Sequence, residues 1–329
     1  MNVLVTGATG FLGGAAARKL HQQGHRVLAT GRNADLGRVL QQEGIEFRPA
    51  ELADADTILD MCRDIDWVLH SGAKSSLWGS KSDFWKPNVV GTENVVQGCL
   101  KHKVKRLVYV SSPSVYFSFG DQLDITEDFP LPEKFVNSYT ASKRQGELQV
   151  LRGHSLGLNS IILRPRAIFG PRDTSIFPRL LRAMKEGKLR VIGSGENKCS
   201  LTYIDNCVDG CIAGLRAAED LSGRTYNITD GEDIYLWETL KYIASSLGFS
   251  LPKRTISLRF ARTLARSMEK FHRVFLPTKE PVLTEYSVGL LGCSTTLDIT
   301  KAKEELGYQP KISTQQGIDL FLKWWKECS

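Results

Sequence analysis

Tyr139 and Lys143 stand four residues apart in the stretch YTASK. On a helix that spacing puts both side chains on one face. A free phenol ionises near pH ~10. A neighbouring ammonium favours the phenolate, so the tyrosine could exchange a proton near neutral pH. The pair is common by chance in chains of this length, and its position is what gives it weight. It follows a β-rich run, RLVYVSS, and opens a predicted helix from Asn137 to Arg152. The hydroxyls of YVSSPSVY lie where that run ends. Tyr139 would then pass a proton to a carbonyl oxygen that Ser112 holds by a hydrogen bond.

A second set of residues supplies what such a proton donor lacks. The chain opens MNVLVTGATGFLGG, with Gly7, Gly10 and Gly13 directly after its first apolar run. In a βαβ unit the first helix turns its free N–H groups and positive dipole end toward the strand's carboxyl end, where phosphate binds. Gly7 would let the chain turn tightly, Gly10 would let backbone meet a diphosphate, and Gly13 would let the helix pack closely. The strand–glycine–helix context is the one a dinucleotide fingerprint requires. A nicotinamide so held would carry the hydride, and Lys143 would bond its ribose.

The end of the second predicted strand, HRVLATGRN, offers Gly31 and Arg32 where readers of NAD usually place a carboxylate. A guanidinium can grip a 2′-phosphate, which favours NADP and leaves NAD possible. The competing reading makes Arg32 a solvated loop charge or a stacking partner of adenine.

These residues need a frame. Strands are predicted at VLVTG, RVLAT, IEFRP, DWVLH, RLVYVSS and NSIILRP. Helices are predicted over Phe11 to Gln23, Asp56 to Arg63, Asp83 to His102 and Asn137 to Arg152. That alternation implies an α/β, doubly wound parallel sheet of the Rossmann kind over residues 1–170. Residues 171–329 are less regular. RVIG, SLTYID and RTYNIT read as strands, and Ile234 to Leu247 and Ser313 to Lys326 as helices. A smaller substrate-binding lobe is expected there, with some strands returning to the main sheet.

The 329 residues are 42% hydrophobic and 24% charged, with a net charge of +7. This is an ordinary globular composition with a bias toward anionic ligands. No dense basic run or zinc-finger spacing points to nucleic acid. Seven cysteines without a CxxC pair suit a reducing compartment. Cys207 and Cys211 read as buried small residues, and no metal site is expected. The start lacks a basic leader and no run is long enough to span a bilayer, so a cytoplasmic protein is expected, with membrane-peripheral placement open.

The segments TGATGFLGG, HSGA, NVVGT, YVSSPSVY, YTASK, LRPRAIFGP and TYIDN, in this order, resemble the extended short-chain dehydrogenases/reductases. Within that family the resemblance is to the 3β-hydroxysteroid dehydrogenase branch. SGAKSSLWGS, NVVGTENVV and NKCSLTYIDN are most similar to bacterial 2-alkyl-3-oxoalkanoate reductases of olefin biosynthesis. The resemblance implies Ser112, Tyr139 and Lys143 as catalytic residues. It also implies a cofactor site of Gly7, Thr9, Gly10, Phe11, Leu12, Arg32, Leu52 and Ala73 together with Tyr139 and Lys143. Ser114 is the second candidate hydroxyl, and Ser111 a capping or packing one. Asn88 would lie near the site or bond backbone beneath it, and His70 reads as a structural histidine. A homodimer paired through the helices around Asn88 and Tyr139 is also implied.

Three residues depart from the family pattern. Glu51 precedes Leu52 where Asp is common, and Phe117 follows Val115-Tyr116 where glycine is common, which implies a bulkier substrate wall. Arg166 follows LRP, where it would bind a substrate carboxylate or serve a structural ion pair. Separately, residues 254–276 form a basic amphipathic stretch, read as a packed lobe helix or as a lid, membrane contact or partner-enzyme contact. The expected activity is NADP(H)-dependent reduction of a 2-alkyl-3-oxoalkanoate or similar apolar, lipid-like ketone. The alternatives are a 3β-hydroxysteroid or sterol-4-carboxylate 3-dehydrogenase and, in another class, a non-catalytic NAD(P)-sensing protein.

Overall fold

A computed structural model describes residues 1–174, 176–187, 189–249 and 255–328. In the opening strand Val3 and Val5 pack into one hydrophobic cluster and Leu4 into another, all three fully buried. Burial on both faces is the condition of a strand inside a parallel sheet. Seven parallel strands form that sheet: β1 (Asn2–Thr6), β2 (Arg26–Gly31), β3 (Glu46–Pro49), β4 (Trp67–His70), β5 (Arg106–Val110), β6 (Ser160–Pro165) and β7 (Thr225–Ile228). Their order is β7-β6-β5-β4-β1-β2-β3. The chain winds outward from β1 to β3, then returns to β4 on the other side of β1, with Thr6 level with both Thr30 and His70. That reversal opens a crevice at the carboxyl ends of β1 and β4, where ligands of doubly wound sheets bind.

The helices of the first half are α1 (Phe11–Gln22), α2 (Ala34–Gln42), α3 (Ala55–Met61), α4 (Lys81–Trp85), α5 (Gly91–Lys101) and α6 (Ser138–Ser155). Those of the second half are α7 (Phe177–Lys185), α8 (Ile204–Arg216), α9 (Leu236–Ser246), α10 (Leu258–Phe275), α11 (Glu285–Gly292), α12 (Thr300–Leu306) and α13 (Thr314–Cys328). Helices α1 and α8 cover the Val3 face, and α3, α5 and α6 cover the Leu4 face. Cys207 and Cys211 lie on the buried side of α8, where burial pushes the Cys207 thiol up.

The structure departs from the sequence expectations at several places. The helix predicted over Asp83 to His102 is α4 and α5 joined by a wider π turn, Lys86–Val90. Pro87 has no N–H to give the carbonyl four residues back, and Gly91 N–H bonds the Lys86 carbonyl five back instead. Ile234 belongs to a strand, Asp233–Tyr235, and α9 begins at Leu236. The sequence reading has no helix at α2, α7, α8, α11 or α12, and the strand read at SLTYID stops at Tyr203, with α8 beginning at the next residue. A smaller sheet orders the segments Asp233–Tyr235, Lys198–Ser200, Thr295–Leu297 and Gln122–Ile125, so it draws a strand from the first half of the chain. The basic amphipathic stretch contains α10; Arg254 lies outside the described residues.

Candidate active site

A cleft of about 1800 Å³ runs from the β1–α1 loop across the strand ends to α11. At one end the loop is shaped by what glycine lacks. Gly7 has φ +70°, and a Cβ there would lie 2.6 Å from Gly72 Cα. A Cβ at Gly13 would lie 2.3 Å from the Gly7 carbonyl oxygen, so the close packing is of the helix start on the loop itself. Helices α2, α3 and α6 each have a side-chain cap, from Asn33, Asp54 and Asn137. Helix α1 has none, and Gly10 leaves its first amides open to a ligand. Uncapped amides at a glycine turn fit a dinucleotide's diphosphate. Thr9, Phe11 and Leu12 line the same end.

Thr9 Oγ1 would lie 2.4 Å from a Cβ at Gly31, so the loop crosses directly to the end of β2. Arg32 follows there, exposed and, among the described residues, without an ion-pair partner. Leu52 wedges against the Cα positions of Gly72 and Gly91, and its carbonyl accepts from Asn94 Nδ2 at 2.9 Å. With Ala73 it walls the cleft beside Arg32.

Farther in, Ser111-Ser112 follow the end of β5 and α6 presents Tyr139 and Lys143. Lys143 is buried; its Nζ donates to the Val110 carbonyl at 2.7 Å and lies 4.4 Å from the centre of the Tyr109 ring. Burial pushes its pKa down to about 7, against the opposing charge of Glu147. Burial raises the pKa of Tyr139, and a hydrogen bond from Ser112 works against the rise. This corrects the expectation of a phenol lowered by an ammonium. Desolvation is the larger effect on both side chains. Ser112 Oγ also accepts the Ser114 N–H at 3.2 Å. Ser111 faces away from the cleft chemistry: its hydroxyl donates to Glu147 Oε1 at 2.7 Å. Arg164 Nε donates to that oxygen at 2.7 Å, and Arg164 Nη2 to Oε2 at 2.8 Å. This buried pair ties α6 to β5 and β6 directly under Lys143.

Asn88 and His70 lie beneath the cleft. Asn88 Oδ1 accepts the Lys74 N–H at 2.7 Å, and Asn88 Nδ2 donates to the Lys74 carbonyl at 3.0 Å and to Ser142 Oγ at 2.8 Å. The π turn thus orients α6 against the loop after β4. His70 is fully buried, and burial pushes its pKa down to about 3. Thr92 Oγ1 donates to the Asn88 carbonyl at 2.7 Å, so it accepts from His70 Nε2 at 3.0 Å. His70 Nδ1 then accepts from Thr6 Oγ1 at 2.7 Å, and Thr6 Oγ1 accepts the Gly72 N–H at 3.2 Å. The imidazole is a neutral structural link.

At the other end of the cleft stand Arg166 and Ser114. Arg166 is 8% exposed, its Nε has no hydrogen-bond partner, and no carboxylate pairs with it among the described residues. The structural ion pair weighed for Arg166 is therefore not formed. Ser114 Oγ is likewise buried, with the Tyr286 hydroxyl beside it. Ala167 at φ +47° turns the chain sharply after Arg166.

Residues 3–229 match the NAD dependent epimerase/dehydratase family. The chain belongs to that family. It is 33% identical to a 2-alkyl-3-oxoalkanoate reductase of Stenotrophomonas maltophilia, over 97% of each chain. It is 31% identical to a sterol-4-alpha-carboxylate 3-dehydrogenase, decarboxylating, of Bos taurus, covering 96% of this chain and 90% of that one. The fold matches a UDP-glucuronic acid 4-epimerase of Bacillus cereus in complex with NAD at TM-score 0.78, with 23% identity and 99% of both chains covered. As a family member the chain is an NAD(P)-dependent oxidoreductase with an extended short-chain dehydrogenase/reductase fold.

Two residues of this epimerase/dehydratase-family site were missed in the sequence, Tyr286 in the cleft wall and Glu147 buried beneath it. Tyr286, on α11, lines the cleft with its hydroxyl facing Tyr139, Arg166 and Ser114. Burial raises its pKa, Tyr139 adds to the rise, and the Arg166 charge and Ser114 oppose it. Glu147 follows Lys143 by one helical turn, a spacing that was available to sequence reading. Phe117 does not line the cleft. It packs edge-on to Tyr286 with ring centres 4.9 Å apart and fills the space left by Gly289, so its bulk acts by seating Tyr286.

Proposed function

We propose that the protein is an NADP(H)-dependent reductase of the 3-oxo group of a β-keto acid with apolar chains, of the 2-alkyl-3-oxoalkanoate kind. The observation that carries this reading is Arg166, a buried cation at the substrate end with no protein counter-ion. An isolated buried charge is costly, and a ligand carboxylate meets a guanidinium in a bidentate, charge-assisted pair. Tyr286 lies within electrostatic reach of both Arg166 and Tyr139, so one pocket offers partners for the carboxylate and for the ketone. The names of the Stenotrophomonas and Bos taurus relatives both describe substrates with a carboxyl attached to the carbon next to the one bearing the reacting oxygen.

When bound, the dinucleotide supplies or accepts hydride at the nicotinamide. Gly7 to Leu12 would hold its diphosphate, Arg32 its 2′-phosphate, and Lys143 its nicotinamide ribose. The Tyr139 hydroxyl donates its proton to the carbonyl oxygen, which Ser112 holds by a hydrogen bond. Arg166, with Ser114 and Tyr286, orients the carboxylate. Arg32, rather than a carboxylate at the end of β2, supports NADP over NAD.

β-Keto acids lose CO₂ readily, so the decisive assay runs in the oxidising direction, with NADP⁺ and 2-alkyl-3-hydroxy acids compared with their methyl esters. The acids should be preferred, and Arg166→Met should raise their KM about ten- to hundredfold, with NADP⁺ affinity unchanged. Equal use of the esters would remove Arg166 from substrate binding. A 3-hydroxysterol bearing a 4-carboxylate would use the same arginine, and turnover of it alone would move the substrate to that class. Tight cofactor binding with no turnover in the whole panel would leave a sensor.

A further inference from the structure

The apolar face of α10 is not used by the fold. Only Ala261 and Ala265 of this 18-residue helix are buried. At about 100° per residue, Phe260, Leu264, Phe271, Val274 and Phe275 share a different arc. Four of them are 60%, 52%, 71% and 66% exposed, at positions 260, 271, 274 and 275. Arg259, Arg262, Arg266, Lys270 and Arg273 occupy the remaining side of the helix; Arg262 and Arg266 share Glu285, Arg273 lies 3.8 Å from Glu269, and Arg259 and Lys270 have no ion-pair partner among the described residues. From Thr255 to Lys279 the chain carries six Lys or Arg residues and one carboxylate, Glu269.

This face continues into the cleft. Leu276 is 39% exposed, and the chain beyond α10 is pinned by Trp78, whose Nε1 donates to the Pro277 carbonyl at 2.9 Å. The Arg273 guanidinium lies 5.9 Å from the Trp78 ring centre. Val282, 65% exposed, then lines the cleft mouth.

We propose that α10 docks the protein on an anionic lipid surface, its apolar arc entering the headgroup boundary and its cations reaching lipid phosphates. A helix with exposed aromatics on one arc and Arg/Lys on the polar side suits that interface. Long basic side chains keep their charge at headgroup level while their stems cover apolar surface. No helix among the described residues is long and apolar enough to cross a membrane, so the contact is at the surface. Docking stands apart from the choice of substrate. A further step, in which an apolar substrate enters past Val282 without crossing water, rests on the reading given under Proposed function.

The test is co-sedimentation of the full chain with vesicles of phosphatidylglycerol and phosphatidylcholine, or of phosphatidylcholine alone. Binding should require the anionic lipid and weaken with salt. Replacing Phe271 and Phe275 together by Ser should lower it about tenfold or more while leaving NADPH affinity and turnover of a short, water-soluble substrate unchanged. Failure of the wild-type protein to bind anionic vesicles at low salt overturns docking. So does binding that the double substitution leaves intact. Conversion of a wild-type oligomer to monomers by the same substitution, with no lipid binding, assigns the face to a second copy of the chain instead. None of these outcomes bears on Arg166, which the acid-versus-ester comparison tests separately.

Discussion

The two ends of the cleft are built from different materials. At the proposed dinucleotide end the ligand would meet backbone: Gly7, Gly10, uncapped amides of α1 and the tight contact between Gly7 and Gly72. At the proposed substrate end it would meet side chains, Arg166, Ser114 and Tyr286, brought in by β6, the turn after β5 and α11. Backbone seats tolerate almost no added atoms, because the neighbour is another peptide that cannot rotate away. Side-chain walls can be changed one residue at a time, which is how one frame comes to serve many substrates.

Substitutions should separate the ends cleanly. The largest effect is expected between them: Tyr139→Phe should lower turnover about a hundred- to ten-thousandfold while NADPH affinity, measured by fluorescence titration, stays within a few fold. Retained turnover would remove Tyr139 as proton donor. At the backbone end, Gly13→Val puts a Cβ 2.3 Å from the Gly7 carbonyl oxygen, and dinucleotide affinity should fall about ten- to hundredfold. If affinity survives, the loop is more compliant than its contacts imply. Arg32→Ala should weaken NADPH about tenfold and leave NADH almost unchanged; equal losses would end the 2′-phosphate assignment.

The smallest effect concerns stability without cofactor. Lys143 has a folded pKa of about 7, below the ordinary lysine value near ~10.4. Between those values the unfolded chain binds more protons than the folded one, so this residue makes stability rise with pH across that window. The urea midpoint of Lys143→Met relative to wild type should therefore be higher near pH 7 than near pH 9. A difference that does not change with pH would mean that Lys143 keeps its charge when buried.

The same contrast explains what could be read from the chain. The glycine loop was legible because close backbone contacts leave no room for a Cβ at fixed offsets after the first strand. YTASK was legible because helical spacing fixes which side chains share a face. Tyr286 was not, since α11 reaches the cleft only through tertiary packing, seated by Phe117 against Gly289. The π turn at Lys86–Val90 hid inside an otherwise helical pattern, where Pro87 alone does not say whether the helix stops, kinks or widens. Arg166 could be named but not interpreted. Whether an arginine after a strand has a carboxylate beside it depends on which distant segments fold around it.

Four hydrogens link Gly72, Thr6, His70, Thr92 and Asn88 in one direction, each group giving to the next. The chain has no spare proton, so turning the imidazole over would leave both a donor and an acceptor stranded at once. The seam between the first and fourth strands is thus polarised. It has one permitted orientation, and the carbonyl at its far end belongs to the same Asn88 whose amide orients the helix that carries Tyr139.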